Sequence, residues 1–397
     1  MRRERVLFVT YPYGWGGSEK HLEDLIVRTD PTRLEPVILA LHPSTYAAAL
    51  QTKGRGDVPV HQKTASTFRE YRRIFTGLRP DVIVFVNGVH GQFPWWAYAA
   101  ARLSGARRVV AIEHLQGVPP PPRVTTPGVL GSVRRLVGWR ARRMMRLRAP
   151  GYLCHRTICV SDAVRRTVVQ DYGYSPTRTV TVHNGIDLKY YRRSGMLRDA
   201  ARASLGIAGH DRLLLYIARL GGLKRVDLLL QTVALMSTER PSLKCVIVGG
   251  GPDEKQLRAE MVALGLSDRV QFVGHQDDVR PYLEAADIYV TSSEREGFGL
   301  ALVEAMAYEV PCVATNIGGH DEIMAKPGTG VLVPPGSSAE LARGIAYVLD
   351  HPSEAQTMGV AARRMAEERF NIDRMVAELI EIFLAGRSPS SRTIGRR

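Results

Sequence analysis

Short apolar runs rich in β-branched residues recur along the chain, and stretches with helical spacing separate them. Val6–Thr10, Pro36–Leu41, Asp81–Val86, Val109–Ile112, Thr157–Ser161 and Thr179–Val182 have the length of buried strands, and Thr67–Leu78 and Phe93–Leu103 read as helices between them. A polar, basic connection follows, up to Gly209. The alternation then resumes with Leu213–Ala218, Cys245–Val248, Val270–Val273, Asp287–Ser292 and Val310–Thr315, and ends in helices over Ala339–Asp350 and Ala355–Leu384. Strands alternating with helices predict a doubly wound α/β sheet, and two such series in 397 residues predict two domains.

The most informative stretch runs from Asp287 to Glu322. Between its two strand-like runs the chain passes Glu296-Gly297-Phe298-Gly299 and enters Leu300–Tyr308, rich in good helix formers. That is a strand, a glycine turn, a helix and a parallel strand. Glycines let backbone N–H groups approach a ligand, and a helix N-terminus favours anions such as phosphate. Glu296 and Glu304 flank the turn, so both carboxylates border one ligand at the carboxyl end of the sheet, where an acid reads paired sugar hydroxyls. Upstream, Arg219 ends one strand-like run and Lys224 stands five residues on, a fork and a point charge that converge on a diphosphate. Near the start, Val6–Thr10 leads through Gly14, Gly16 and Gly17 to a helix with Ser18 as its expected N-cap, a second phosphate-facing corner.

Taken in order, EGFGLALVEAMA, Pro311, Gly318-Gly319-x-x-Glu322 and Gly330-Val-Leu-Val-Pro334 resemble the donor half of the retaining nucleotide-sugar glycosyltransferases of family four. Gly16-Gly17-Ser18-Glu19-Lys20, the Asn184-Gly185-Ile186-Asp187 turn, Arg219 with Lys224, and Gly249-Gly-Gly-Pro252 extend the likeness over most of the chain. The resemblance implies the GT-B arrangement of two Rossmann-like domains facing a central cleft. It implies an acceptor-side domain over 1–187, a donor-binding domain over 188–366, a helix over 367–385 crossing back, and a basic tail over 386–397 expected to be disordered. It also assigns residues. Glu296 meets the transferred sugar and Glu304 the ribose, while Arg219 and Lys224 bind the diphosphate. The backbone of Phe298, Gly299 and Leu300 lies along sugar and diphosphate, and the backbone around Val273 reads the nucleobase. Gly16 and Gly17 meet the donor phosphates or the acceptor, and His114, ending its strand, reaches the sugar. Four positions depart from the family pattern: Ala218, Arg225 and Glu309 stand where glycine is usual, and Ser292 where proline is usual.

Composition adds less to the chemistry and more to the surroundings. The formal net charge of +15 is concentrated, because Ser132–Arg148 and Gly386–Arg397 hold eleven arginines and no acid. A helix wound over Val129–Leu147 puts most of its arginines on one face and Val133, Leu136, Val137, Met144 and Leu147 on the other. With Trp139 it reads as an element for an anionic membrane surface or as ordinary packing. Nucleic-acid binding needs aromatics interleaved with the arginines, and Trp139 alone is thin support for it, so no nucleic-acid partner is expected. Before the helix lies the proline-rich segment Val118–Pro127. No apolar run reaches the length of a membrane span and no leader pattern opens the chain, so a cytoplasmic protein, at most peripheral to the membrane, is expected. The four cysteines lack metal-type spacing and read as reduced core residues. Asp277-Asp278 is not read as a metal site, since it resembles a helix start. The family resemblance thus implies a retaining, metal- and cofactor-free hexosyltransferase that uses a nucleoside diphosphate sugar and a glycan or lipid-linked acceptor. A nucleotide-sugar epimerase of the same fold and a non-catalytic partner subunit are the alternatives.

Overall fold

The computed structural model describes residues 3–11, 16–89, 91–114, 144–195 and 198–385. The proline-rich segment, most of the amphipathic segment 129–147 and the basic tail 386–397 lie outside them. The chain divides into two compact units. The first takes the chain up to Cys159, then Val168–Val182, then the end of the chain from Asp373; the second takes Val160–Thr167 and His183–Ile372.

The first unit is built on a parallel sheet of seven strands: β1 (Glu4–Thr10), β2 (Leu34–Ala40), β3 (Val60–Gln62), β4 (Val82–Asn87), β5 (Arg108–Glu113), β6 (Arg156–Cys159) and β7 (Thr179–Thr181), in the order β3-β2-β1-β4-β5-β6-β7. Strand β4 is buried end to end, and β1 and β5 are buried after their first one or two residues, because helices cover both faces, which is why they read as apolar runs. Leu7, Val9, Ile83, Phe85, Phe75 and Tyr98 form part of one core layer. The helix Phe68–Leu78 starts at a reciprocal cap: Glu70 N donates to Thr67 Oγ at 3.3 Å, and Thr67 N donates to Glu70 Oε2 at 3.0 Å. The helix Ile372–Leu384, last among the described residues, belongs to this unit. Phe383 meets the Phe8 ring edge-on at 5.9 Å, and Arg108 donates to Ile382 O at 2.6 Å.

The second unit carries six parallel strands: β8 (Arg212–Ile217), β9 (Leu243–Val248), β10 (Val270–Gly274), β11 (Ile288–Thr291), β12 (Cys312–Thr315) and β13 (Val331–Val333), ordered β10-β9-β8-β11-β12-β13. Strand order reverses between β8 and β11. At such a switch point the crossovers leave on opposite faces and open a crevice at the carboxyl ends of the two strands. Leu214, Tyr216, Leu229, Val233, Ile247 and Val290 pack the core beneath it. All four cysteines are buried and none forms a disulfide, with Cys154 and Cys159 in the first unit and Cys245 and Cys312 in the second.

Candidate active site

In the second unit Arg219 and Lys224 follow β8, and Glu296, Phe298, Gly299, Leu300 and Glu304 follow β11, the two strands of the switch point, whereas Val273 lies on the edge strand β10. After β8 the chain runs through Arg219 to a short 3-10 turn, Gly222–Lys224, and into the helix Val226–Met236. This path is fixed by its neighbour. A Cβ on Gly249 would fall 1.9 Å from Ala218 O, and one on Gly251 2.1 Å from Leu220 O. Only glycine therefore lets the loop after β9 lie against Ala218–Leu220, where Leu220 N donates to Gly250 O at 2.9 Å. Arg219 is exposed, with no ion pair among the described residues. Lys224 reaches across to the segment after β11, its Nζ 2.5 Å and 2.6 Å from the two Glu296 carboxylate oxygens.

Beyond Glu296, Gly299 is the N-cap of the helix Leu300–Ala307 at φ 116° and has no side-chain cap. The first N–H groups of the helix are thus left to a ligand. Phe298 is buried against Phe370 and His183, with ring centroids at 5.4 Å and 6.1 Å, so only its backbone is available to line a site. Glu304, in the second turn of the helix, is buried. The charges of Glu296 and Glu304 both bear on the buried Tyr289 phenol of β11; burial is the main cause of its raised pKa, and the two carboxylates add to it. Val273, in β10, is partly buried and its carbonyl accepts from Gln276 Nε2 at 2.9 Å.

His320 joins this group, and the sequence reading did not single it out. It is buried, its Nδ1 lies 3.0 Å from Thr315 O, and its ring lies against Gly299. Burial depresses its pKa; Glu296 pulls it back up and Lys224 pushes it further down. The ring is therefore neutral at pH 7, with Nδ1 as the donor to Thr315 O. The only sequence signal was its place inside Gly318-Gly319-x-x-Glu322. Glu322 itself faces elsewhere. Its Oε2 accepts from Asp162 N at 2.7 Å and its Oε1 from Ala163 N, while His183 Nε2 stands 3.2 Å from Oε2. Asp162, His183 and Glu322 thus offer three donor atoms within 4.8 Å of one another, but both Glu322 oxygens already serve as caps for the helix that starts at Asp162. Asp278 pairs with Arg280 at 2.7 Å, and Asp277 is exposed beside His275.

The remaining predicted residues lie in the first unit. Gly16, not Ser18, is the N-cap of the helix Gly17–Arg28. Ser18 Oγ instead donates to Glu19 Oε2 at 2.8 Å, which corrects the expected cap. With Gly16 extended at φ −155°, the helix begins two residues earlier than a Ser18 cap would allow. His114 follows β5, buried, with Nδ1 3.2 Å from Asn87 O and its ring edge-on to His21 at 4.7 Å. Its Nε2 has no partner among the described residues. Burial, and then the neighbouring His21, push its pKa well down, so it is neutral. Asn87 is held in turn by Glu113, which accepts its amide at 2.9 Å, and by Tyr98, whose hydroxyl donates to Asn87 Oδ1 at 3.1 Å.

The structure is similar to that of the Anabaena protein HepE in complex with UDP and glucose, with a TM-score of 0.77 at 22% identity over 96% of this chain and 99% of that one. Two parallel-sheet, Rossmann-like units in this likeness make the fold GT-B. Residues 15–190 match the model of Glycosyltransferase Family 4, and residues 198–365 match Glycosyl transferases group 1. The chain is thus of the group 1/family-four glycosyltransferase type. Its relatives include the N-acetyl-alpha-D-glucosaminyl L-malate synthase of Bacillus anthracis, 32% identical over 51% of this chain and 52% of the relative. Another is the D-inositol 3-phosphate glycosyltransferase of Thermobispora bispora, 30% identical over 58% of this chain and 55% of the relative. The matched region thus spans about half the length of these two relatives.

Proposed function

We propose that this protein moves a hexose from a nucleoside diphosphate sugar to a hydroxyl of a glycan or lipid-linked acceptor, with retention at the anomeric carbon and without a metal. One observation carries the reading. Lys224 and Glu296 meet at the switch point, at the open N-terminus of the helix that carries Glu304. This arrangement suits a ligand with a diphosphate at one end and hydroxyls at the other. As the glycosidic bond breaks, negative charge grows on the departing phosphate. In this reading Arg219, Lys224 and the helix N–H groups stabilise that charge, and such electrostatic stabilisation is the usual source of the largest catalytic term. The neighbour bound to UDP and glucose, and relatives named for sugar transfer, support the assignment.

Retention follows if the acceptor hydroxyl attacks on the face the phosphate leaves and that phosphate takes the acceptor's proton. Detection of a glycosyl-enzyme adduct by intact mass would contradict this route. The donor is tested by thermal stabilisation with UDP, GDP, ADP and their sugar conjugates in metal-free buffer. A ligand at 100 times its Kd stabilises the native state by about 2.7 kcal/mol. One nucleotide series should raise the melting temperature, and Glu304→Ala should abolish the rise. No rise with any series, in a folded protein, rejects the reading.

A further inference from the structure

Arg225 follows Lys224 directly and sits at φ 50°, ψ 46°, left-handed backbone that disfavours a residue with a side chain. Its guanidinium offers no compensation from the site, because it is folded onto Asp227 at 2.9 Å and 3.0 Å. The turn is held from the other strand of the switch point. Ser292 Oγ lies 2.7 Å from Arg225 O and 3.1 Å from Lys224 O, so its single proton is directed chiefly at Arg225. The Tyr216 hydroxyl donates to Lys224 O at 2.6 Å, and Glu294 N donates to Leu223 O at 2.9 Å. Ser292 and Tyr216 are each 1% exposed, so water does not compete for these bonds.

Four residues after Ser292 on the same segment stands Glu296, the partner of the Lys224 ammonium. The lysine is therefore held on both sides: its own carbonyl accepts from Tyr216 of β8, the next carbonyl, Arg225 O, accepts from Ser292, and its Nζ meets Glu296 on the same segment as Ser292. We propose that Ser292 is the positioning residue that holds Lys224 toward the donor diphosphate, and that it is needed because position 225 is not glycine. The proposal rests on the reading of Lys224 as a diphosphate ligand. It joins two departures that the sequence presents as unrelated: glycine at 225 keeps the turn unaided, whereas arginine requires a tie, and proline at 292 has no hydroxyl to supply one.

The test uses the full chain with Ser292→Ala, Arg225→Gly and the double variant. Calorimetric titration compares a nucleoside diphosphate with the monophosphate of the same base. Loss of one buried hydrogen bond should weaken diphosphate binding by about tenfold in Ser292→Ala and leave the monophosphate unchanged, a split that general loosening of the fold does not give. Adding Arg225→Gly should restore diphosphate affinity to within about twofold of the starting protein, since glycine accepts the left-handed turn. An unchanged diphosphate affinity in Ser292→Ala, equal weakening of both ligands, or no restoration in the double variant overturns the proposal. Urea unfolding of the same four proteins separates the two readings. If the unsubstituted protein binds no nucleotide, the transferase assignment and the role of Lys224 fall together. A strictly additive unfolding cycle would show that no tie exists between Ser292 and Arg225.

Discussion

Glu296→Gln should make the protein bind free nucleoside diphosphate more tightly while it ceases to transfer sugar. In the structure the Lys224 ammonium lies 2.5 Å and 2.6 Å from both oxygens of Glu296, whose side chain is 16% exposed against 23% for the lysine. A diphosphate arriving at Lys224 has to compete with that carboxylate and also bring its own negative charge close to it. Unit charges 4 Å apart interact by about 4 kcal/mol at an effective dielectric of 20, and partial exposure reduces the net effect to about 1 kcal/mol. Neutralising Glu296 should therefore lower the Kd for the diphosphate by roughly fivefold. The carboxylate is the group assigned to the transferred sugar, so kcat should fall by at least about 100-fold. Isothermal titration at pH 7.5 and a transfer assay on one preparation read both quantities. A folded Glu296→Gln protein that binds diphosphate no better than its parent would refute the idea that Glu296 competes for Lys224. Retained turnover would refute its place at the sugar.

Two further outcomes follow from burial. His114 and His320 both have pKa values held below the ordinary histidine value, chiefly by burial, so the unfolded chain binds protons that the folded chain does not. Stability should be level above pH 6.5 and decline as pH falls below it, by up to about 1.4 kcal/mol per pH unit for each histidine. Urea unfolding between pH 7.5 and 5 measures this, and His320→Gln should flatten the slope; a flat parent profile would contradict it. Gly251→Ala should be severe, since its Cβ would meet Leu220 O at 2.1 Å. Backbone on both sides has to shift, which costs about 3 kcal/mol and lowers the melting temperature by roughly 6–12 °C; a loss under about 1 °C would show that the loop is slack.

Most strands were legible because the sheets are parallel and covered on both faces, which makes each strand an apolar run. The edge strand Val60–Gln62 was not, since three residues with one apolar side chain give no pattern. Glu296, Glu304, Lys224 and Arg219 were singled out on residue type, spacing and the family resemblance, and the structure brings Lys224 and Glu296 into contact. The tie from Ser292 to Arg225 was invisible: it joins positions 67 apart and depends on a backbone angle. His320 was missed for a related reason, as its place depends on how β12 turns at Gly319, where φ is 108°. Glu309, the other residue noted in place of a glycine, also takes a left-handed conformation, at φ 57°. The glycine expectation at 225 and 309 therefore reported a real backbone demand even where the residue itself differs.

The four buried thiols give the molecule a set of built-in clocks. Two are sealed in each unit and none is in a disulfide, so alkylation under native conditions proceeds only as fast as each interior opens. Cys245 and Cys312 lie on strands either side of β8 and β11, the two that carry the donor loops. Cys154 and Cys159 sit before and at the end of β6 in the other unit. Mass-resolved labelling therefore times the breathing of the two halves separately in one unmodified protein, and a nucleotide that slows only the second pair reports its own address.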